Sequence, residues 1–167
     1  MDQPSFQLPI RISKGILEFD PNFVSEERVL DDWLYKKAVK NEIARASRNY
    51  VSLTSDGLIA GFYCLVNCSL ARSSLRGALS RNMLSAVPAV LLGRMAVRKE
   101  FCGRGLGRSL VKHALEKTAF IAEEAGAIGL VTEPISITAK NFYLHVGFEE
   151  VRAGSRLLIC RLPRFCC

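Results

Sequence analysis

Three glycines at alternate positions, Gly103, Gly105 and Gly107, precede a long run of helical spacing. No Ser, Thr, Asp or Asn stands in the cap position of that helix, so its first-turn N–H groups have no side-chain acceptor in the sequence. Glycine lets the backbone come close to a ligand, and a helix N-terminus attracts an anion. Because Arg104 and Arg108 add positive charge at the same place, the segment predicts a phosphate-binding site.

The spacing of this segment excludes two familiar phosphate loops. A P-loop requires a Gly-Lys pair, which is absent here, and a GxGxxG dinucleotide fingerprint would need glycine where Arg108 stands. Considered alone, the segment is better explained as a Gly-rich turn before an ordinary helix. A second feature is needed to favour a ligand site.

Apolar periodicity predicts the elements that must position these residues. Ser25 is expected to cap an amphipathic helix whose apolar face carries Val29, Leu30, Trp33, Leu34 and Ala38. The other elements predicted are strands at 10–19, 49–54, 58–66, 89–97, 128–132, 148–152 and 156–162, helices at 106–125 and 136–146, a hairpin turn at 55–57 and a helix end at Gly126. This order predicts one α/β domain over residues 1–167, with helices packed on a mixed sheet.

Two motifs together resemble the GCN5-related N-acetyltransferase (GNAT) family. The frame Cys102-Gly103-Arg104-Gly105-Leu106-Gly107 resembles the family's acetyl-CoA loop, Q/R-x-x-G-x-G/A, and departs from it at Cys102. Asn141-Phe142-Tyr143-Leu144-His145-Val146-Gly147-Phe148 resembles the family's helix-to-strand segment, and it follows the loop in the expected order. The resemblance implies the GNAT fold, a central and mostly antiparallel mixed sheet flanked by helices.

The GNAT resemblance also implies the roles of individual residues. The glycine loop would hold the pyrophosphate of acetyl-CoA, the cosubstrate, and the end of the preceding strand would pair with its pantetheine. The catalytic residue would be Tyr143, a general acid whose phenol suits a thiolate leaving group because their reference pKa values are about 10 and about 8.5. Phe142 and Phe148 also fit core positions. The implied cofactor-binding residues are Met95, Ala96, Val97, Cys102, Gly103, Arg104, Gly105, Leu106, Gly107, Arg108, Asn141 and Phe142.

A narrower resemblance covers residues 16 to 162 and concerns the GNAT toxins of bacterial toxin–antitoxin pairs. It rests on Glu18-Phe19-Asp20, on Arg81-Asn82-Met83 and on the run from Leu91 to Val97. It implies a cytoplasmic enzyme that acetylates the α-amine of aminoacyl-tRNA and blocks translation. It also implies neutralisation by a ribbon-helix-helix antitoxin and a homodimer.

The charge distribution gives a partly independent indication of an RNA partner. The chain carries 23 Lys and Arg against 16 Asp and Glu, and eleven basic residues but two acidic ones lie between Leu34 and Lys99. Such a stretch could follow the phosphates of an RNA acceptor stem, although charge runs are more commonly solvated faces without a partner. The residues predicted to bind tRNA are Lys36, Lys40, Arg45, Arg48, Arg76, Arg81 and Arg94.

Other features limit the alternatives. The six cysteines show no CxxC pair and no zinc spacing, so we expect no metal site and reduced thiols. No segment is predicted to span or enter a membrane. Glu133 is a candidate base or amine ligand, with a plain surface carboxylate at a strand end as the alternative, and His113 and His145 are expected to be structural. Two other functions stay open: an ordinary acetyltransferase for a small amine or protein N-terminus, and, because of Cys102, a non-catalytic module that binds CoA or RNA.

Overall fold

A computed structural model describes residues 5–163 of the chain, so Cys166 and Cys167 lie outside the described residues. A short π-helical segment, Leu34–Ala38, connects the helix that ends at Trp33 to the helix that begins at Val39. The elements in chain order are β1 Ile10–Arg11, α1 Lys14–Phe19, α2 Arg28–Trp33, α3 Val39–Ile43, β2 Arg48–Leu53, β3 Ile59–Ala71, β4 Ala86–Val97, α4 Leu106–Ala125, β5 Gly129–Thr132, α5 Ile137–His145, β6 Glu149–Glu150 and β7 Leu158–Arg161.

The strands form a mixed sheet with the order β1-β2-β3-β4-β5-β7-β6. β1, β2 and β3 are paired antiparallel, as are β5, β7 and β6. β4 and β5 are parallel, with Val90 opposite Leu130 and Leu91 opposite Val131. The mixed, mostly antiparallel sheet with flanking helices confirms the predicted fold class.

The residues group into two compact units, which we describe separately. The first comprises the chain up to Val66 together with Gly93–His113, and the second comprises Asn67–Leu92 and the chain from Ala114 onward. In the first unit, Leu30, Leu34 and Ala38 recur at intervals of four residues and face the same side of the helical segment, where they are buried with Val51 and Phe62. The ring of Trp33 stacks on that of Phe62, with 6.1 Å between the ring centroids.

The second unit has its own apolar core around β5 and β7. Val131 and Ile159 lie opposite each other in the antiparallel pair of these strands and are fully buried. Val87 and Ala89 of β4 and Leu75 pack into the same cluster. The second unit therefore has a core cluster of its own.

The strand predicted at residues 10–19 is wrong for all but its first two residues. Only Ile10–Arg11 is extended, and Lys14–Phe19 forms α1. Lys14 and Glu18 pair one helical turn apart at 3.0 Å, and Leu17 supplies the buried face. The short apolar run at 10–19 fits the residue spacing of a strand as well as that of a helix. Packing of the helix decides between the two structures.

Ser25 lies two residues before the helix cap rather than at it. The N-cap of α2 is Glu27, whose N–H donates to the Ser25 hydroxyl over 3.1 Å, while that hydroxyl donates to Asp31 over 2.6 Å. The prediction that Ser25 caps the helix is therefore wrong, although the Ser25 side chain still holds the segment before it.

The remaining predicted elements are confirmed with shifts at their ends. The hairpin turn at 55–57 closes through a hydrogen bond from the Thr54 N–H to the Leu58 carbonyl, over 2.9 Å. β3 continues to Ala71 and β4 begins at Ala86, so both strands are longer than predicted. Gly126 ends α4 with φ of +80°, as expected for a glycine after a helix. Among the described residues, no helix is long and apolar enough to cross a membrane.

Candidate active site

The glycine loop lies in the first unit, between β4 and α4. Gly103 and Gly105 have φ of +76° and +81°, a backbone region that favours glycine. No atom outside the neighbouring residues lies within 4 Å of a Cβ built on either of them, so the loop is open on that side. The loop therefore has the backbone shape and the space that an approaching ligand requires.

α4 begins directly after the loop. Its first apolar side chains, Leu106 and Leu110, are buried, while Gly105, Arg108 and Ser109 are exposed. The N–H of Ser109 donates to the Gly105 carbonyl over 3.1 Å, so the N–H groups before it have no acceptor within the helix. These groups and the helix dipole can bind an anion.

Two arginines add charge to this helix end. Arg104 and Arg108 are exposed and have no ion-pair partner within the described part of the chain. The Arg104 guanidinium lies over the ring of Phe101, with 5.7 Å to the ring centroid. Both side chains therefore lie at the helix end that follows the glycine loop.

Cys102 occupies the first position of the loop frame. It is exposed, and its sulfur lies 3.7 Å from the Arg98 carbonyl, to which it donates a weak hydrogen bond. Desolvation raises the pKa of the Cys102 thiol, and the carboxylate of Glu26 raises it further.

The strand that precedes the loop brings backbone groups close to it. Met95, Ala96 and Val97 are the last three residues of β4, as predicted. A Cβ at Gly61 would lie only 3.0 Å from the Ala96 carbonyl and 3.0 Å from Leu110. Gly61 therefore allows β3, β4 and α4 to approach closely beneath the loop.

The candidate general acid lies in the second unit, on α5. Ser136 caps this helix by accepting a hydrogen bond from the Ala139 N–H over 3.1 Å. Tyr143 is 6% exposed, and its ring centroid lies 5.2 Å from the ring centroids of both Phe142 and Phe148. Asn141 is exposed on the same helix. Packing by two aromatic neighbours fixes the direction of the Tyr143 ring.

Residues 46–150 match the family profile described as Acetyltransferase (GNAT) domain. The chain belongs to the GNAT acetyltransferase family. The matched range includes the glycine loop, the end of β4 and Tyr143. The family's chemistry makes the protein an acetyltransferase.

Comparison with known proteins places this GNAT acetyltransferase near a group of toxins. It is 37% identical over 144 residues to a tRNA-acetylating toxin of Mycobacterium tuberculosis, covering 86% of this chain and 85% of the relative. It resembles the crystal structure of a tyrosine-to-phenylalanine mutant of KacT with a TM-score of 0.82 and 25% identity, over 93% of this chain and 95% of that one. It resembles AtaT complexed with acetyl-methionyl-tRNAfMet with a TM-score of 0.77 and 24% identity, over 83% of this chain and 85% of that one.

The residues predicted to bind tRNA fall into both units of the acetyltransferase. In the first unit, Lys36 pairs with Asp32 at 3.3 Å and Arg48 contacts Glu42 at 3.4 Å, so part of their charge is already offset. Exposed Lys40, Arg45 and Arg94 have no ion-pair partner within the described residues. The guanidinium of Arg94 lies over the ring of Trp33, with 5.8 Å to the centroid.

In the second unit, Arg76 and Arg81 are exposed on the segment between β3 and β4. Arg81, Asn82 and Met83 line a cavity of about 840 Å³ together with Ala119 and Ala122 of α4. Arg81-Asn82-Met83, one of the segments on which the toxin resemblance rests, therefore lies at a concave surface.

Several polar residues have structural surroundings. Glu133 is 58% exposed and pairs with Arg156 at 3.5 Å. Nδ1 of His113 lies 2.6 Å from the hydroxyl of buried Tyr63, and His145 is the exposed last residue of α5. Within residues 5–163, no three His, Cys, Asp or Glu side chains cluster as a metal site would require.

Sequence reasoning missed the burial of Arg98. It was counted among the basic residues available to RNA, yet it is 8% exposed and pairs with Asp20. No local pattern could reveal this, because 78 residues separate the partners.

Proposed function

We propose that this enzyme transfers the acetyl group of acetyl-CoA to the α-amine of aminoacyl-tRNA, and that it blocks translation in this way. The observation that carries the proposal is the 37% identity to a tRNA-acetylating toxin over 86% of the chain. At this identity and coverage the two chains share their fold. The open glycine loop and the aromatic packing of Tyr143 fit the same reaction.

The residues of the first unit suit acetyl-CoA. Its pyrophosphate is bound by the loop from Gly103 to Arg108, because the first-turn N–H groups of α4 lack intrahelical acceptors and the Cβ side of the glycines is open. Its pantetheine amides pair with the backbone of Met95 to Val97 at the end of β4. Asn141 and Phe142 contact the cofactor from α5. When bound, acetyl-CoA supplies a thioester as the activated acyl donor.

The transfer is a direct one. The neutral α-amine attacks the thioester carbonyl, an N–C bond forms, and the C–S bond breaks. Tyr143 gives its proton to the departing sulfur, the new amide nitrogen loses its proton to solvent, and the Tyr143 phenolate takes a proton back from solvent. The neighbouring ester lowers the pKa of the amine, so no strong base is needed, and Glu133 is a secondary candidate for that role.

Basic side chains that are exposed or, for Arg48, half-buried are proposed to bind the RNA. Lys36, Lys40, Arg45, Arg48 and Arg94 do so from the first unit. From the second unit, Arg76 and Arg81 do so. Because binding to phosphates releases counterions, affinity for tRNA is expected to fall steeply with salt.

Charge reversal at Lys40 tests this surface. Lys40→Glu is expected to raise the KM for aminoacyl-tRNA about fivefold and to reduce the slope of log affinity against log salt by about one. Lys112→Glu is the matched control, because Lys112 is also exposed in the first unit but is not among the predicted tRNA contacts. Steady-state kinetics and filter binding over a salt series give both values. Equal effects of the two variants contradict a specific role for Lys40.

Cys102 offers a test of the cofactor loop. The family frame has Gln or Arg here, and a guanidinium beside the helix N-terminus would attract the pyrophosphate. Cys102→Arg is therefore expected to tighten acetyl-CoA binding about threefold, the size of one exposed electrostatic contact. Cys102→Ser removes the sulfur without adding charge and should bind as the wild type does. Isothermal titration calorimetry measures both, and weaker binding by Cys102→Arg contradicts the assignment.

The deciding experiment measures transfer of labelled acetyl from acetyl-CoA to charged tRNA, deacylated tRNA, polyamines and a peptide. Label in the charged tRNA alone supports the proposal. Label confined to polyamines or peptide favours an ordinary acetyltransferase. Bound acetyl-CoA without any transfer favours the non-catalytic module suggested by Cys102.

The resemblance to toxins of toxin–antitoxin pairs also supports three proposals about the cellular setting. We propose that a ribbon-helix-helix antitoxin neutralises the enzyme, that the enzyme forms a homodimer, and that it acts in the cytoplasm with tRNA. Size-exclusion chromatography with light scattering tests the dimer, and co-purification with the protein encoded beside it tests the antitoxin.

A further inference from the structure

Arg98 is a buried arginine at the entrance to the glycine loop. It follows the last residue of β4 and precedes the short turn Lys99–Phe101, after which Cys102 begins the loop. Its side chain is buried, whereas Lys99 and Glu100 beside it are exposed. A charged side chain in such a position requires partners that offset the loss of hydration.

The guanidinium of Arg98 is bound on several sides. Its Nε donates to the Ile59 carbonyl over 2.7 Å, and one terminal nitrogen donates to the Asn22 carbonyl over 3.2 Å. The other terminal nitrogen forms an ion pair with Asp20. The ring of Phe23 lies 5.3 Å from the guanidinium carbon. These contacts join the loop entrance to the segment after α1 and to the start of β3.

Asp20 is equally well satisfied. It is 3% exposed, and the oxygen that pairs with Arg98 also accepts the Ile59 N–H over 2.8 Å. Both backbone groups of Ile59 are thus bound by the pair. The hydroxyl of Tyr35 donates to the Asp20 carbonyl over 2.7 Å and accepts the Phe23 N–H over 2.8 Å, which fixes the Asp20 to Phe23 turn.

The backbone around Arg98 is tied to the same elements. The Arg98 N–H donates to the Ala60 carbonyl over 2.8 Å, and the Lys99 N–H donates to the Val24 carbonyl over 2.9 Å. The Arg98 carbonyl accepts the Phe101 N–H over 2.9 Å and the weak bond from Cys102. The chain thus enters the loop from a point held by both backbone and side chain.

A buried ion pair of this kind is a weak source of net stability, because desolvation of the two charges offsets most of their attraction. Its geometry is nevertheless well defined, since the planar guanidinium must match three acceptors at once. We propose that Asp20 and Arg98 form a buried latch that positions the glycine loop for the pyrophosphate of acetyl-CoA. Arg98 is then a positioning residue for the cofactor and takes no part in RNA binding. The inference rests on the proposed acetyl-CoA site.

The latch is tested by a change that keeps volume and removes charge. Asp20→Asn is expected to weaken acetyl-CoA binding, and to raise its KM, about tenfold. The kcat at saturating acetyl-CoA should stay within about twofold, because Tyr143 and the substrate amine are unaffected. Arg98→Lys keeps the positive charge but loses the planar guanidinium, so it should also raise the KM for acetyl-CoA with little change in kcat. It replaces Asp20→Asn as the test if that variant does not fold. Calorimetry, steady-state kinetics and circular dichroism supply the readouts.

Glu42→Gln is the matched control. Glu42 is another largely buried carboxylate of the first unit, paired with Arg11 and accepting the Asn49 N–H over 2.8 Å. Its loss should cost stability without changing acetyl-CoA affinity. Unchanged affinity in a folded Asp20→Asn variant, or a fall in kcat with unchanged KM, would overturn the latch. Failure of the wild type to bind acetyl-CoA would instead overturn the proposed function, and the role of the latch with it.

Discussion

Tyr143→Phe is expected to lower acetyl transfer to aminoacyl-tRNA by about 10²- to 10⁴-fold, the usual contribution of a positioned general acid. The phenylalanine ring keeps its place against Phe142 and Phe148, since the change removes one oxygen and leaves the packed ring intact. Without the phenol, the thiolate of CoA must leave unprotonated or take its proton from water. Single-turnover transfer of labelled acetyl to charged tRNA measures the loss.

The control for this variant is another buried tyrosine. Tyr63 is fully buried in the first unit, with its hydroxyl 2.6 Å from His113, so Tyr63→Phe also removes a buried hydroxyl. We expect Tyr63→Phe to lower thermal stability and to retain turnover, and we expect both variants to keep their affinity for acetyl-CoA. Full activity of Tyr143→Phe contradicts the general-acid role. Weaker acetyl-CoA binding by that variant indicates instead that the phenol helps to hold the cofactor.

The parts of the fold that were predictable have strong local signals. α4 runs from Leu106 to Ala125 as its apolar spacing indicated, because a long helix gathers many periodic positions and ends at a glycine with positive φ. The hairpin at 55–57 depends on a short turn between two apolar runs. The glycine loop was predictable for the same reason, because the positive φ angles of its backbone favour glycine.

The parts that were missed depend on contacts distant in sequence. α1 has six residues and little periodicity, so only burial of Leu17 distinguishes it from a strand. The π-helical segment at Leu34–Ala38 has no sequence signature comparable to a cap or a glycine. The local charge count treated Arg98 and Lys36 as free, whereas Asp20 and Asp32 lie outside the stretch that was counted. Net charge per segment therefore overstates the basic surface available to RNA.

The candidate site also combines features with a local sequence signal and features that depend on contacts distant in sequence. Glycines at fixed spacing predicted the loop, and the family resemblance implied Tyr143 as the candidate general acid. The residues that hold the loop in place were not identified, because the Asp20–Arg98 pair resembles any other acid and base until the chain is folded. Positioning residues are thus the class that sequence reasoning detects least well.

Gly105→Val is expected to weaken acetyl-CoA binding about 100-fold, because losing one or two hydrogen bonds to a charged group costs about 1.5–3 kcal/mol each. Gly105 has φ of +81°, where a β-branched residue is a strong outlier, so the backbone must rotate away. Gly105 also carries the carbonyl that accepts the Ser109 N–H, so this rotation turns the first N–H groups of α4 away from the pyrophosphate. Calorimetric titration with acetyl-CoA measures the change.

Gly126 supplies a matched control at the opposite end of the same helix. Its φ of +80° is nearly identical, and a Cβ there also meets no atom within 4 Å. Gly126→Val should therefore lose a similar amount of stability, about 1–3 kcal/mol of backbone strain, while its acetyl-CoA affinity stays unchanged. Equal weakening in both variants would mean that the loss comes from destabilisation of α4. Wild-type affinity in Gly105→Val would mean that the pyrophosphate does not bind at this loop, because the backbone there could then change without loss of binding.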